Sequence, residues 1–192
     1  MNKTANLLAT LSFSGLLLAT PVLAEEYVID TKKAHAAILF QISHLGIGLV
    51  NGQFKDFSGS FSYDEKNPAD ARVEVTINTE SVDTNHAERD KHLRGKDFLE
   101  TGKYPEAKFV STSFEENGDE AVLKGDLTLH GITKPVVIDV KHLGHGEDPW
   151  GGYRRGFEGA TRIALADFGI DFNLGPAAKE MELFFAVEGI RQ

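Results

Sequence analysis

The residues with the most obvious capacity for chemistry stand together in SVDTNHAERDKHLRGKDFL, Ser81 to Leu99, where two histidines are set among alternating acids and bases. Helical metal ligands need a spacing of three or four to share a face. His86 and His92 are six apart, which at about 100° per residue leaves them about 120° from one another. No third ligand has the right spacing, so no metal site is expected, and capping explains much of the pattern. Asn85 is placed to accept the first backbone donors of a helix, with Glu88 three residues later reaching back. Lys91, His92 and Arg94 suit the negative end of the helix dipole, and Gly95 ends it. Asp97, Glu100 and Gly102 repeat the device, so one or two short helices are expected within 85–102.

Elsewhere the signals for catalysis are weak. No G-x-S-x-G elbow is present. GFEGATR and LGIGLVNG lack the strand-to-helix setting of a phosphate loop. His35, His44, His142 and His145 flank strands or turns and read as ordinary hydrogen-bonding side chains.

The elements that position these residues are strands. AILFQIS puts Ile38, Phe40 and Ile42 on one face, and RVEVTIN does the same with Val73, Val75 and Ile77. Similar runs end at Phe114, Gly131, Leu143, Phe168 and Ile190. Between Gly48 and Tyr63 the alternation slips, because Phe54 and Phe57 have opposite parity. One long strand there requires a bulge or bend at Lys55 and Asp56. Counting it once gives about eight antiparallel strands, a pattern that fits a closed barrel and a two-sheet sandwich alike.

The first 24 residues have the order of a secretory signal peptide: Lys3, an apolar run from Leu7 to Leu18, and small residues at Val22 and Ala24. The apolar run is about a dozen residues, too short to cross a bilayer. The expectation is cleavage after Ala24, export, and one domain over 25–192. Formal charge is −9. That sign opposes binding to nucleic-acid phosphates. There is no cysteine, so thiol chemistry is excluded.

Phenylalanine is abundant: 13 Phe against 4 Tyr and 1 Trp. Most fall in the alternating strands, as they would in a well-filled core or in a cavity walled for a long apolar ligand.

FQISHLGIGLVNGQFKDFSGSF, HLRGKDFLETGKYPEAKF, GDLTLHGITKPV and DFGIDF occur in that order. In combination the chain resembles the YceI family of exported, polyisoprenoid-binding proteins from about Tyr27 to Gly189. The resemblance implies an all-β, eight-stranded antiparallel lipocalin-like barrel in the periplasm. Its apolar interior would hold a long-chain isoprenoid or other lipid, such as a polyprenyl phosphate or a quinone tail, with no cofactor and no catalytic residue to carry over. Many relatives in that family have an arginine two residues before the DFG aspartate; here that position is Leu165, with Arg162 nearby.

Strand parity nominates Phe40, Ile42, Phe54, Phe61, Val75, Ile77, Phe109, Leu127, Leu129, Phe157, Ile163, Leu183 and Phe185 for the pocket wall. His86, Arg89, His92, Arg94 and Lys96 are nominated as a cationic rim for a headgroup, with Arg suited to bidentate phosphate contact. Two other readings compete: a metal- or His-assisted lipid hydrolase, and a ligand-free stress or interaction module. A homodimer is left open.

Overall fold

The structure, a computed structural model, describes residues 24–33 and 35–192. The signal peptide expected over residues 1–24 therefore lies almost wholly outside the described residues. Eleven strand segments form: β1 (Glu25–Ile29), β2 (Ala37–His44), β3 (Gly48–Phe54), β4 (Phe57–Tyr63), β5 (Arg72–Asn78), β6 (Val82–Asp83), β7 (Glu106–Asn117), β8 (Glu120–Leu129), β9 (Ile132–Glu147), β10 (Tyr153–Ala164) and β11 (Glu180–Arg191). Among the described residues one α-helix, α1 (Ala87–Leu93), interrupts them.

Pairing reduces the eleven segments to eight staves. β1 and β2 both run antiparallel to β11, at Tyr27–Ile29 and at Ala37–Ile42, so they are one stave broken by the excursion between them. β3 lies on β2 and β4 on β1, which makes a second broken stave. β5 pairs with β4 and β6 with β3, a third. β7 to β11 follow as an unbroken antiparallel meander, and the β1–β11 ladder closes the ring. Closure chooses the barrel over the sandwich and removes the open sheet edges that a sandwich would have to protect.

The slip at Lys55 and Asp56 is the break between β3 and β4. Phe54 and Phe57 are both buried although three residues apart. The break is held from the next stave: the Ser81 hydroxyl accepts from Asp56 N at 3.0 Å, and Lys55 Nζ reaches Asp83 at 3.0 Å. A second reversal, between Ser111 and Ser113, lets Phe109 and Phe114 both face inward. Tight closure at the β8–β9 hairpin uses His130 and Gly131, both at positive φ, as a primed two-residue turn demands.

Three inward phenylalanines lie across glycines on nearby staves: Phe40 over Gly52, Phe109 over Gly125 and Phe61 over Gly189. A Cβ at any of these glycines would fall within the ring. Glycine here is a packing requirement, since the ring covers the stretch of strand that lacks a side chain.

The helical insert differs from expectation. The N-cap of α1 is His86, whose ring nitrogen accepts from Arg89 N at 3.2 Å. Asn85 instead turns the chain at φ 60°. Asp90, buried, accepts from Thr84 N at 2.8 Å. Residues 96–103 form successive turns and no second helix. Gly95 N closes onto His92 O at 2.9 Å and Glu100 N onto Gly95 O at 2.9 Å, so the chain tightens there without regaining the α-helical ladder.

Candidate functional site: an apolar cavity in the barrel

A cavity of about 220 Å³ runs inside the barrel. Each of the thirteen wall residues nominated from parity lines it, from Phe40 and Ile42 on β2 to Leu183 and Phe185 on β11. Val73, Phe114, Leu123, Val136, Ile138, Val140 and Val187 also belong to the wall. Phe114 escaped the parity count because the Ser111–Ser113 bulge reverses its face. The sequence of β9 shows no single apolar face, because its apolar positions Val136, Ile138 and Val140 alternate with β-favouring neighbours such as Val137.

The two ends differ. One is roofed by two covers. Leu93 of α1 and Phe98 and Leu99 of the following turns come from one side. Leu165, Ile170 and Leu174, from the segment that links β10 to β11, come from the other. Phe98 packs on Phe172 with ring centroids 5.1 Å apart, joining the covers. The sequence offered no periodic signal for 165–178, which has only two short 3₁₀ turns, at Leu165–Phe168 and Pro176–Ala178.

The opposite end is shut by aromatic rings. Tyr27 stacks on Phe61 at 4.8 Å, Phe157 meets Phe61 edge-on at 5.5 Å, and Tyr63 meets Phe114 and Phe157 at 6.3 and 6.1 Å. Tyr63 lines the cavity, and its hydroxyl donates to Glu116 at 2.7 Å. His142 Nε2 stands 2.9 Å from the same carboxylate oxygen. Burial, reinforced by the Glu116 carboxylate, raises the Tyr63 phenol well above its ordinary range, so it stays protonated. The Arg155 guanidinium lies over the Tyr63 ring at 4.4 Å and pairs with Glu65 at 2.5 Å. Arg155 is 3% exposed, and its Nε has no hydrogen-bond partner among the described residues.

The rim proposed from the charged stretch is dispersed. Arg89 donates through Nε to Thr84 Oγ1 and through an Nη to Thr84 O, both at 2.7 Å. Arg94 donates to Glu80 O at 2.8 Å and Val82 O at 2.9 Å. Arg94 thus pins the end of α1 to the β5–β6 connection and to β6, and Arg89 ties α1 to Thr84 just past β6. His92 faces Asp97 at 3.6 Å and packs edge-on against Phe98, His86 caps the helix, and Lys96 is exposed. The placement has a simple cause: backbone carbonyls at a strand break need donors, and long side chains on the adjoining helix supply them. Arg162 lies outside the barrel, paired with Glu180 and Glu182, while Leu165 contributes to the roof.

Another polar cluster lies outside the cavity. Arg154 donates to Asp30 at 2.9 Å and Asp148 at 2.7 Å, and also pairs with Glu188. His35 Nδ1 is 3.2 Å from Asp30. Asp30, Glu188 and His35 come close enough together to suit a cation, and the Arg154 guanidinium already supplies one. The Arg154 hydrogen bond holds the Asp30 carboxyl below its ordinary range.

Comparison with known proteins agrees with this architecture. A UPF0312 protein of Pseudomonas paraeruginosa is 58% identical over 179 residues, covering 93% of this chain and 94% of its own. Protein YceI of Escherichia coli O157:H7 is 55% identical over 183 residues, 95% and 96% of the two chains. The crystal structure of Burkholderia cenocepacia BcnA superposes with TM-score 0.72 at 23% identity, over 83% of this chain and 98% of its own. A structure described as a polyisoprenoid binding domain from Saccharophagus degradans, implicated in plant cell wall breakdown, gives TM-score 0.63 at 18% identity, over 88% and 99%. The model of the YceI-like domain matches residues 27–189, and the chain belongs to that family.

Proposed function

We propose that the protein is an exported, periplasmic, non-catalytic carrier or store that holds a long isoprenoid or similar lipid inside its barrel. The observation that carries this reading is the cavity: a tube walled by Phe, Ile, Leu and Val from every stave, with a two-part apolar roof. The polyisoprenoid-binding description of the Saccharophagus degradans neighbour supports the same ligand class.

The energetics are ample. Burying a chain of about 40 carbons at about 0.8 kcal/mol per carbon yields on the order of 30 kcal/mol gross. Ordering of the chain and loss of free motion are set against that, and real affinities end near about 20 kcal/mol. Tail burial therefore supplies the affinity, and a polar group need only add selectivity. The nominated wall residues are proposed as the tail contacts. Arg89 and Arg94 are assigned to holding the roof, because two donors of each guanidinium are bonded to Thr84 or to Glu80 and Val82.

Native mass spectrometry of protein isolated from the periplasm tests the reading. A mature N-terminus at Glu25 and a co-purified chain of C30 to C50 are expected. Protein without bound lipid that also fails to take up added squalene would favour the ligand-free module. Release of hydrolysed lipid from the loaded protein would favour the hydrolase.

A further inference from the structure

We propose that the bound lipid enters tail-to-roof, with its polar terminus at the aromatic end, and that this terminus is a neutral group able to both donate and accept one hydrogen bond, an aliphatic hydroxyl being the simplest. This rests on the lipid-binding reading above and adds the chemistry of the head.

Three observations lead there. First, polar side chains are scarce along the cavity. Thr161 is spent on Val137 O at 2.6 Å. Glu158 points outward toward Lys141. Ser62 has the opposite parity to the buried Phe61 and Tyr63. Tyr63 is left as the buried hydroxyl on the wall, and since it donates to Glu116 its oxygen retains an acceptor site.

Second, Arg155 Nε lies beside that ring as a buried donor without a partner among the described residues. Buried N–H groups are nearly always satisfied, so an orphan packed on a wall residue of the cavity marks a place where an acceptor belongs. A ligand hydroxyl bridging the two would accept from Arg155 and donate to Tyr63.

Third, the charge at this end disfavours an anion. Glu116 sits behind Tyr63, and Glu65 already neutralises Arg155. Glu25 near Tyr27 is paired with Arg191, leaving no free cation in this cluster for a phosphate among the described residues. A phosphate monoester carries about −1.5 to −2 at neutral pH and would stand against the Glu116 carboxylate.

The test compares three C30 probes on the purified, delipidated protein: squalene, hexaprenol and hexaprenyl phosphate. Hexaprenol is expected to bind about tenfold tighter than squalene, the scale of one or two net hydrogen bonds. The phosphate is expected to bind no tighter than hexaprenol. Tyr63→Phe should bring hexaprenol to the squalene level and leave squalene within about twofold, which also shows that the variant's barrel is intact. Hexaprenol equal to squalene, or the phosphate tightest of the three, would overturn the inference and leave lipid binding standing. If squalene also fails to bind, the lipid-binding reading itself falls. The wild-type rank order decides the matter even if the variant does not fold.

Discussion

Replacing Arg94 by alanine should loosen the roof of the cavity while leaving the barrel folded. Arg94 makes two charge-assisted bonds to backbone carbonyls, Glu80 O at 2.8 Å and Val82 O at 2.9 Å, and stands 3.4 Å from the Glu80 carboxylate. Charge-assisted bonds are worth about 1.5–3 kcal/mol each when water is excluded. The side chain is 31% exposed, so the lower bound applies, and water re-solvates part of what the two carbonyls lose. A net cost of about 2 kcal/mol for closing α1 and its turns follows. That corresponds to about 30-fold more open roof. Hydrogen exchange should rise by about that factor over 84–104 and little in β7 to β11, because local opening is separable from global unfolding. Release of a bound C30 lipid should quicken by a similar factor. Arg94→Lys, which keeps the charge but cannot reach both carbonyls, should fall between. A uniform rise in exchange across all strands, with unchanged lipid release, would refute the idea that the roof opens as its own unit.

Gly125→Val should displace the Phe109 ring and cost about 1–3 kcal/mol as overpacking, read as a drop in Tm of several degrees. Val75→Trp, at mid-stave on the wall, should abolish squalene uptake while the far-ultraviolet spectrum remains that of the wild type. Asp30 has a carboxyl held low by Arg154, so its contribution to stability is complete above the unfolded value of about 3.9 and is lost as pH falls from there through the folded value. Urea titrations should therefore show Asp30→Asn less stable than the wild type at pH 7, with the difference shrinking below about pH 4; a difference constant down to pH 2 would contradict the linkage.

The wall of the cavity was legible because parity is a local property that a closed barrel must respect. Wherever a strand runs without interruption, as β2, β5, β8 and β10 do, an apolar residue every second position can face only the interior, and Phe40, Ile77, Leu127 and Ile163 follow. The slip from Phe54 to Phe57 was visible because two aromatics of opposite parity flank a charged pair. The bulge at Ser111–Ser113 was not visible, because a serine-threonine-serine run presents no apolar residue whose face is seen to change. Strand count was recoverable for the same reason. The breaks in three staves depend on long-range ladders, β1 and β2 sharing β11, that no local pattern encodes.

The charged stretch shows the converse. Its composition announced function, and several of its side chains turn out to hold structure: His86 caps α1, Asp90 receives Thr84, and Arg89 and Arg94 reach back to the segments on either side of β6. Sequence spacing cannot separate a free cation from one bonded to a carbonyl five to fourteen residues away, because that carbonyl belongs to no residue type. The residues that carry the head-group inference were silent for the opposite reason. Tyr63 and Arg155 look like ordinary strand residues, and they acquire chemistry only where β4 and β10 meet the aromatic end of an otherwise apolar tube, one with an acceptor to spare and the other with a donor unmet. A cavity walled almost wholly by apolar side chains makes each such group count, since a buried polar atom left unpaired costs free energy.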